Sequence, residues 1–116
     1  MIKALFLDLD GTLLSSHKTL LPSTIQALRR CKQQGVKVFM ATARSPRLAQ
    51  KLGLSREEIA VFGDDLNDVE MLSHCPNSVA MGNAHPQAKA VAAHVTHSCD
   101  EDGIAHALRN ILHVIP

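Results

Sequence analysis

Asp8 and Asp10 stand two residues apart behind a short apolar run, and Gly11-Thr12 follows them directly. Further on, Thr42 closes a second apolar run, and Asp64 and Asp65 close a third after Gly63. Carboxylates gathered this way raise one another's pKa unless a cation neutralises them. A hard divalent ion with oxygen ligands is the natural neutraliser, and Mg2+ commonly combines a few carboxylates with a phosphate group. The chemistry such a set suits is attack by an anionic carboxylate on an anionic phosphate ester, with the metal offsetting their repulsion. A single Asp at a strand end needs no more than a capping role; this combination asks for more.

Short apolar runs alternate with amphipathic stretches, which predicts a mostly parallel sheet of about five strands covered by helices, a Rossmann-like α/β three-layer sandwich. Strands are expected at residues 2–7, 36–41, 59–62, 78–81 and 95–96. Helices are expected at 22–34, 46–52, 68–73, 86–93 and 103–113. Pro22 suits a first helical position and Gly35 a C-terminal stop. Ser55 and Glu58 have capping-box spacing, but a strand-like run follows at once, so one helical turn is expected there. Ligands of open parallel sheets bind beyond the carboxyl ends of the strands, where Asp8, Thr42 and Asp64 fall. On extended backbone Asp8 and Asp10 would point to the same side.

The chain has 116 residues, which fits one domain, 1–116, with its own core. Its net charge of +1 and 3% aromatic content argue against a nucleic-acid surface, which needs basic patches or stacking faces. Cys31, Cys75 and Cys99 are odd in number and form no Cys-x-x-Cys pair, so reduced, buried thiols are expected. His94 and His97, with Cys99 nearby, match no zinc spacing. Met1-Ile2-Lys3 leads straight into a strand, and no run approaches the ~20 apolar residues of a membrane span. A cytoplasmic protein with no membrane partner is expected.

Asp8-Leu9-Asp10-Gly11-Thr12, Ala41-Thr42-Ala43-Arg44 and Gly63-Asp64-Asp65-Leu66-Asn67-Asp68 resemble the motifs of the haloacid dehalogenase superfamily of phosphatases. Val79-Ala80-Met81-Gly82-Asn83-Ala84 and Asp100-Glu101-Asp102-Gly103-Ile104-Ala105 resemble its Cof-type hydrolase branch. The resemblance implies a Mg2+-dependent phosphatase acting on a small phosphorylated metabolite through an aspartyl-phosphate on Asp8. Asp10 would be the general acid/base and would lend its backbone carbonyl to the metal. Asp64 would complete the metal site. Thr42, the amides of Leu9 and Ala43, and Asn67 would hold phosphate, and Asp68 would orient its loop.

Two departures follow. Ala43 stands where the family usually has Gly. About twenty residues separate Thr42 from Gly63, too few for the cap domain that such proteins carry, whose place would be at about 45–51. The third-motif lysine has gone with the cap, which leaves Arg44, Arg47 and Lys51 as the neighbouring cations on one helical face. The same shortening predicts an open edge at the second strand, suited to a homo-oligomer, and makes a catalytically impaired oligomeric binding or scaffold protein the alternative. A phospho-acceptor receiver domain ranks below both, because Asp10 is placed to hydrolyse the intermediate.

Overall fold

The run Ala4-Leu5-Phe6-Leu7 forms β1 (Ala4–Leu7), buried along its whole length. A strand covered on both faces reads as continuous apolar sequence, and its side chains divide accordingly. Leu5 and Leu7 join one core cluster, and Ala4 and Phe6 the other. The computed structural model describes residues 1–41 and 45–116.

Among these residues β1 lies mid-sheet, flanked by β2 (Lys37–Met40) and β3 (Ile59–Gly63). Next to β3 come β4 (Ser78–Ala80) and β5 (His94–Val95), giving the order β2-β1-β3-β4-β5 with every pair parallel. Phe6 and Val61 are register partners, so β1 and β3 end side by side at their carboxyl ends. The expected open edge falls where it was read: β2 is an outer strand, with Met40 half exposed and Phe39 stacked on Phe6 at 5.2 Å.

On one face pack α1 (Pro22–Gln33) and α5 (Gly103–His106); on the other pack α2 (Ser45–Lys51), α3 (Val69–His74) and α4 (Pro86–Val91). Pro22 opens α1 and Gly35, at φ +84°, turns the chain into β2. Between α2 and β3 a single 3-10 turn spans Arg56–Glu58. Glu58 fixes it by accepting from the Ser55 amide at 3.0 Å and pairing with Lys3 at 2.7 Å. The three cysteines are free and buried. No helix of the described residues is long and apolar enough to cross a membrane.

The closing helix departs from expectation. It is α-helical only over Gly103–His106 and widens to a π turn over Ala107–Ile111. The Leu112 amide reaches back to Ala107 O at 2.8 Å, and Val114 to Leu108 O at 2.8 Å. Those wider bonds bring Ile115, 4% exposed, back into the core, which a straight helix through residue 113 would carry past it.

Candidate active site

Asp8 is the first residue beyond β1, and its amide still bonds to Phe62 O of β3 at 3.1 Å. The chain then leaves extended geometry. Leu13 donates to Asp8 O and Leu14 to Leu9 O, folding residues 8–14 into a tight loop through Gly11 at φ +76°. The two-residue alternation of a strand therefore ends with β1 at Leu7, and the extended backbone assumed in placing Asp8 and Asp10 on one side does not continue to Asp10. Asp10 is exposed, in a backbone bridge to Leu14. Leu9 is exposed beside it.

Asp64 follows β3 directly and is held by its backbone. His85 donates to Asp64 O at 2.7 Å, and Met81 to Gly63 O at 3.1 Å, so the loop after β4 clamps the end of β3. Thr12 Oγ1 donates to Asp64 Oδ1 at 3.3 Å. Asp68 ends a 3-10 turn at Leu66–Asp68 and is 5% exposed. Its Oδ2 accepts from the amides of Asp64 at 3.0 Å and Asp65 at 3.2 Å, so Asp68 orients its loop as read from the sequence. Gly63 permits this closeness: a Cβ there would sit 2.7 Å from Asp68 Cβ.

One carboxylate oxygen from each of Asp8, Asp64 and Asp68 lies within 4.8 Å of the others. Asp8 and Asp64 are half-buried and Asp68 is buried. Burial, then Asp64 alongside, pushes the Asp8 carboxyl up from 3.8 to about 6. Burial, followed among the raising causes by neighbouring carboxylates, also raises Asp64 and Asp68. Hard oxygen donors crowded this closely suit a divalent cation such as Mg2+, whose charge would reverse those shifts. The side chain of Asp10 stands outside the group, while Asp68, assigned no metal contact from sequence, is in it.

Asn67 is exposed on the Leu66–Asp68 turn and, with Asp8 and Asp68, lines a cavity between α2 and α3. From α2 the cavity takes Ala49 and Gln50. Lys51 and Arg47 are exposed, and Lys51 is the last residue of α2. Thr42, Ala43 and Arg44 lie outside the described residues.

Two ties were not read from the sequence. One is the Thr12–Asp64 bond. The other is Asn83, whose Nδ2 donates to Gly11 O at 2.9 Å while its Oδ1 accepts from Cys99 N at 2.8 Å. Gly82-Asn83 has turn character, which was the available signal for Asn83; Thr12 sits inside the opening motif.

The model of haloacid dehalogenase-like hydrolases matches residues 5–52 and again residues 47–108. The chain belongs to that family. It is 48% identical over 69 residues to an uncharacterized protein in the pdhA 5' region of Geobacillus stearothermophilus, covering 60% of this chain and 72% of that one. It is 46% identical over 66 residues to phosphatase YwpJ of Bacillus subtilis, covering 57% of this chain but 23% of the phosphatase. The haloacid dehalogenase fold is shared with 3-deoxy-D-manno-octulosonate 8-phosphate phosphatase of Moraxella catarrhalis, solved with magnesium, phosphate and KDO. That alignment has a TM-score of 0.81 at 19% identity and covers 97% of this chain and 87% of that one.

The raised carboxyls give this haloacid dehalogenase-like core a characteristic pH response without metal. A carboxyl whose folded pKa exceeds its unfolded value stabilises the fold fully below the unfolded value, and that stability is lost as pH rises through the folded one. For Asp8 the window runs from 3.8 to about 6. Glu58, lowered by Lys3 and Ser55, works oppositely but only below its ordinary 4.5. Metal-free protein is therefore expected to melt lower at pH 8 than at pH 5, by about 1–2 kcal/mol after solvent screening. Thermal unfolding in chelator checks this. Added Mg2+ should raise the midpoint more at pH 8 than at pH 5, and a metal-free protein equally stable at both would refute the cause given.

Proposed function

We propose that this chain hydrolyses phosphate monoesters, with Asp8 as nucleophile and Asp10 as general acid/base. The supporting observation is the contrast between the two carboxylates. Asp8 is half-buried among Asp64 and Asp68 at the end of β1, and Asp10 is exposed on the loop just beyond it. An Asp8 oxygen attacks phosphorus, the P–O ester bond breaks, and Asp10 gives its proton to the departing oxygen, releasing an alcohol. Asp10, now ionised, takes a proton from water as that water attacks the aspartyl-phosphate. Inorganic phosphate leaves, and both carboxyl groups return to their starting states.

The oxygen donors of Asp8 and Asp64, with the backbone carbonyl of Asp10, suit Mg2+. When bound, it would neutralise charge shared by nucleophile and phosphoryl group. Asp68 serves by holding the amides of Asp64 and Asp65, and Thr12 by holding Asp64. Thr42, Asn67 and the amides of Leu9 and Ala43 are assigned to the phosphoryl oxygens from their motif positions, with Arg44 as the neighbouring cation.

The substrate class is a small phosphorylated metabolite. The phosphatase match to YwpJ supports the activity, although this chain spans under a quarter of that relative. We read residues 1–116 as one core domain without a cap, since the described residues between β2 and β3 form only α2 and one 3-10 turn. Caps exclude water and complete specificity, so turnover of small esters should be slow and selectivity broad. Incubation with p-nitrophenyl phosphate and Mg2+ should release p-nitrophenol, and chelation should stop it. Absence of any Mg2+-dependent release would defeat the reading.

A further inference from the structure

The cavity between α2 and α3 runs from the carboxylates at the end of β1 to Ile59 at the start of β3, with a volume of about 420 Å3. Its buried and half-buried walls are apolar, chiefly Ala49, Leu54, Ile59, Val61, Met71 and Cys75, while the exposed Gln50, Arg56, Glu70 and His74 complete its lining. Asp8, Asn67 and Asp68 form one end. Polar groups in the lining are confined to the carboxylate end and to those exposed side chains, so the buried walls between them suit an apolar occupant. An apolar cavity of roughly 150 Å3 stays dry and takes benzene. One nearly three times larger, by the same kind of measure, has room for two fused rings. Met71, unbranched and half-buried, can adjust to an occupant's shape.

We propose that this cavity is a binding site for a neutral apolar group of one or two rings, opening onto the carboxylates. The group comes either from the ester itself, as its apolar portion, or from a separate molecule. Only the first source rests on the phosphatase reading; binding does not.

Indole is a direct probe, because the chain has no Trp and no Tyr to mask its emission. Added to metal-free protein, indole should show a saturable blue shift with half-saturation near or below about 1 mM, the range set by nine well-buried heavy atoms. The Met71 methyl resonance should move along the same titration. Filling the cavity by Ala49→Leu or Met71→Phe should weaken indole at least tenfold; if one variant fails to fold, the other decides. An unshifted emission, a fixed Met71 resonance, or unchanged affinity in a folded variant would overturn the proposal.

The source is then separated by turnover of 1-naphthyl phosphate against glycerol 2-phosphate. If the ester fills the cavity, indole competes with the naphthyl ester alone, and Ala49→Leu raises only its KM, by about tenfold. If a separate molecule does, indole binds and both esters keep their KM. Indole binding without turnover of any ester would leave the cavity assignment standing and remove the phosphatase reading; turnover without indole binding would do the reverse.

Discussion

An Asp8→Asn protein is expected to turn over p-nitrophenyl phosphate at least about a thousandfold more slowly than the parent, with its fold intact. Nucleophile removal elsewhere costs this much or more, because what remains is only positioning. Asn is isosteric, and its own amide N–H still bonds to Phe62 O, so the end of β1 should not move. Removing one carboxylate from a crowded set also relieves repulsion, so the metal-free variant should melt as high as the parent or higher at pH 8. Loss of activity with retained or raised stability is the signature to seek by turnover and thermal unfolding together. Asp10→Asn should differ in kind. Acid catalysis matters least for a leaving group as weakly basic as p-nitrophenolate, so its deficit should be far larger with alkyl phosphates. If Asp8→Asn keeps even a tenth of parental activity, another residue is the nucleophile.

The second large effect is expected at Gly11. It stands at φ +76°, where side chains are strained, and a Cβ there would fall on Asp64 Oδ2. Ala at this position must displace the carboxylate of Asp64 or unwind the loop that Asn83 ties through Gly11 O. Gly11→Ala is expected to lose at least about 2 kcal/mol, from the left-handed conformation together with the overlap. Activity should fall at least tenfold with it. Gly35→Ala is the matched control: it has a similar φ of +84°, but nothing lies within 4 Å of its added Cβ. It should cost about 1 kcal/mol and leave turnover unchanged. Urea unfolding and steady-state rates on both variants test the pair. Equal losses of activity in the two would mean that backbone strain, and not the Asp64 contact, carries the effect.

Much of the fold was legible because its elements are marked locally. The apolar runs of β1 and β3, Pro22 and Gly35 around α1, and the Ser55–Glu58 spacing each announce their structure within a few residues. What escaped depends on contacts distant in sequence. The Thr12–Asp64 bond spans 52 positions and the Asn83–Gly11 bond 72, and no local pattern announces either. The π turn likewise answers to the return of Ile115 to the core. At the site, Asp8 and Asp64 were found by their place at strand ends. The extended backbone assumed in relating Asp10 to Asp8 stops at Leu7, before the pair is reached. The reading of Lys51 rests on helical spacing, which tells which residues share a face and is silent on distance along the axis.

β1 is hydrogen-bonded to a neighbour on each side, whereas the loop carrying Asp10 is pinned by a few short-range bonds and by Asn83. Amide deuteration should therefore be slowest at Phe6, Leu7 and Asp8, requiring the whole domain to open. At residues 9–14 it should need only a local excursion. Of the two carboxylates assigned to the reaction, one is anchored in the slowest-opening unit of the molecule, and the other rides on a segment free to fluctuate on its own.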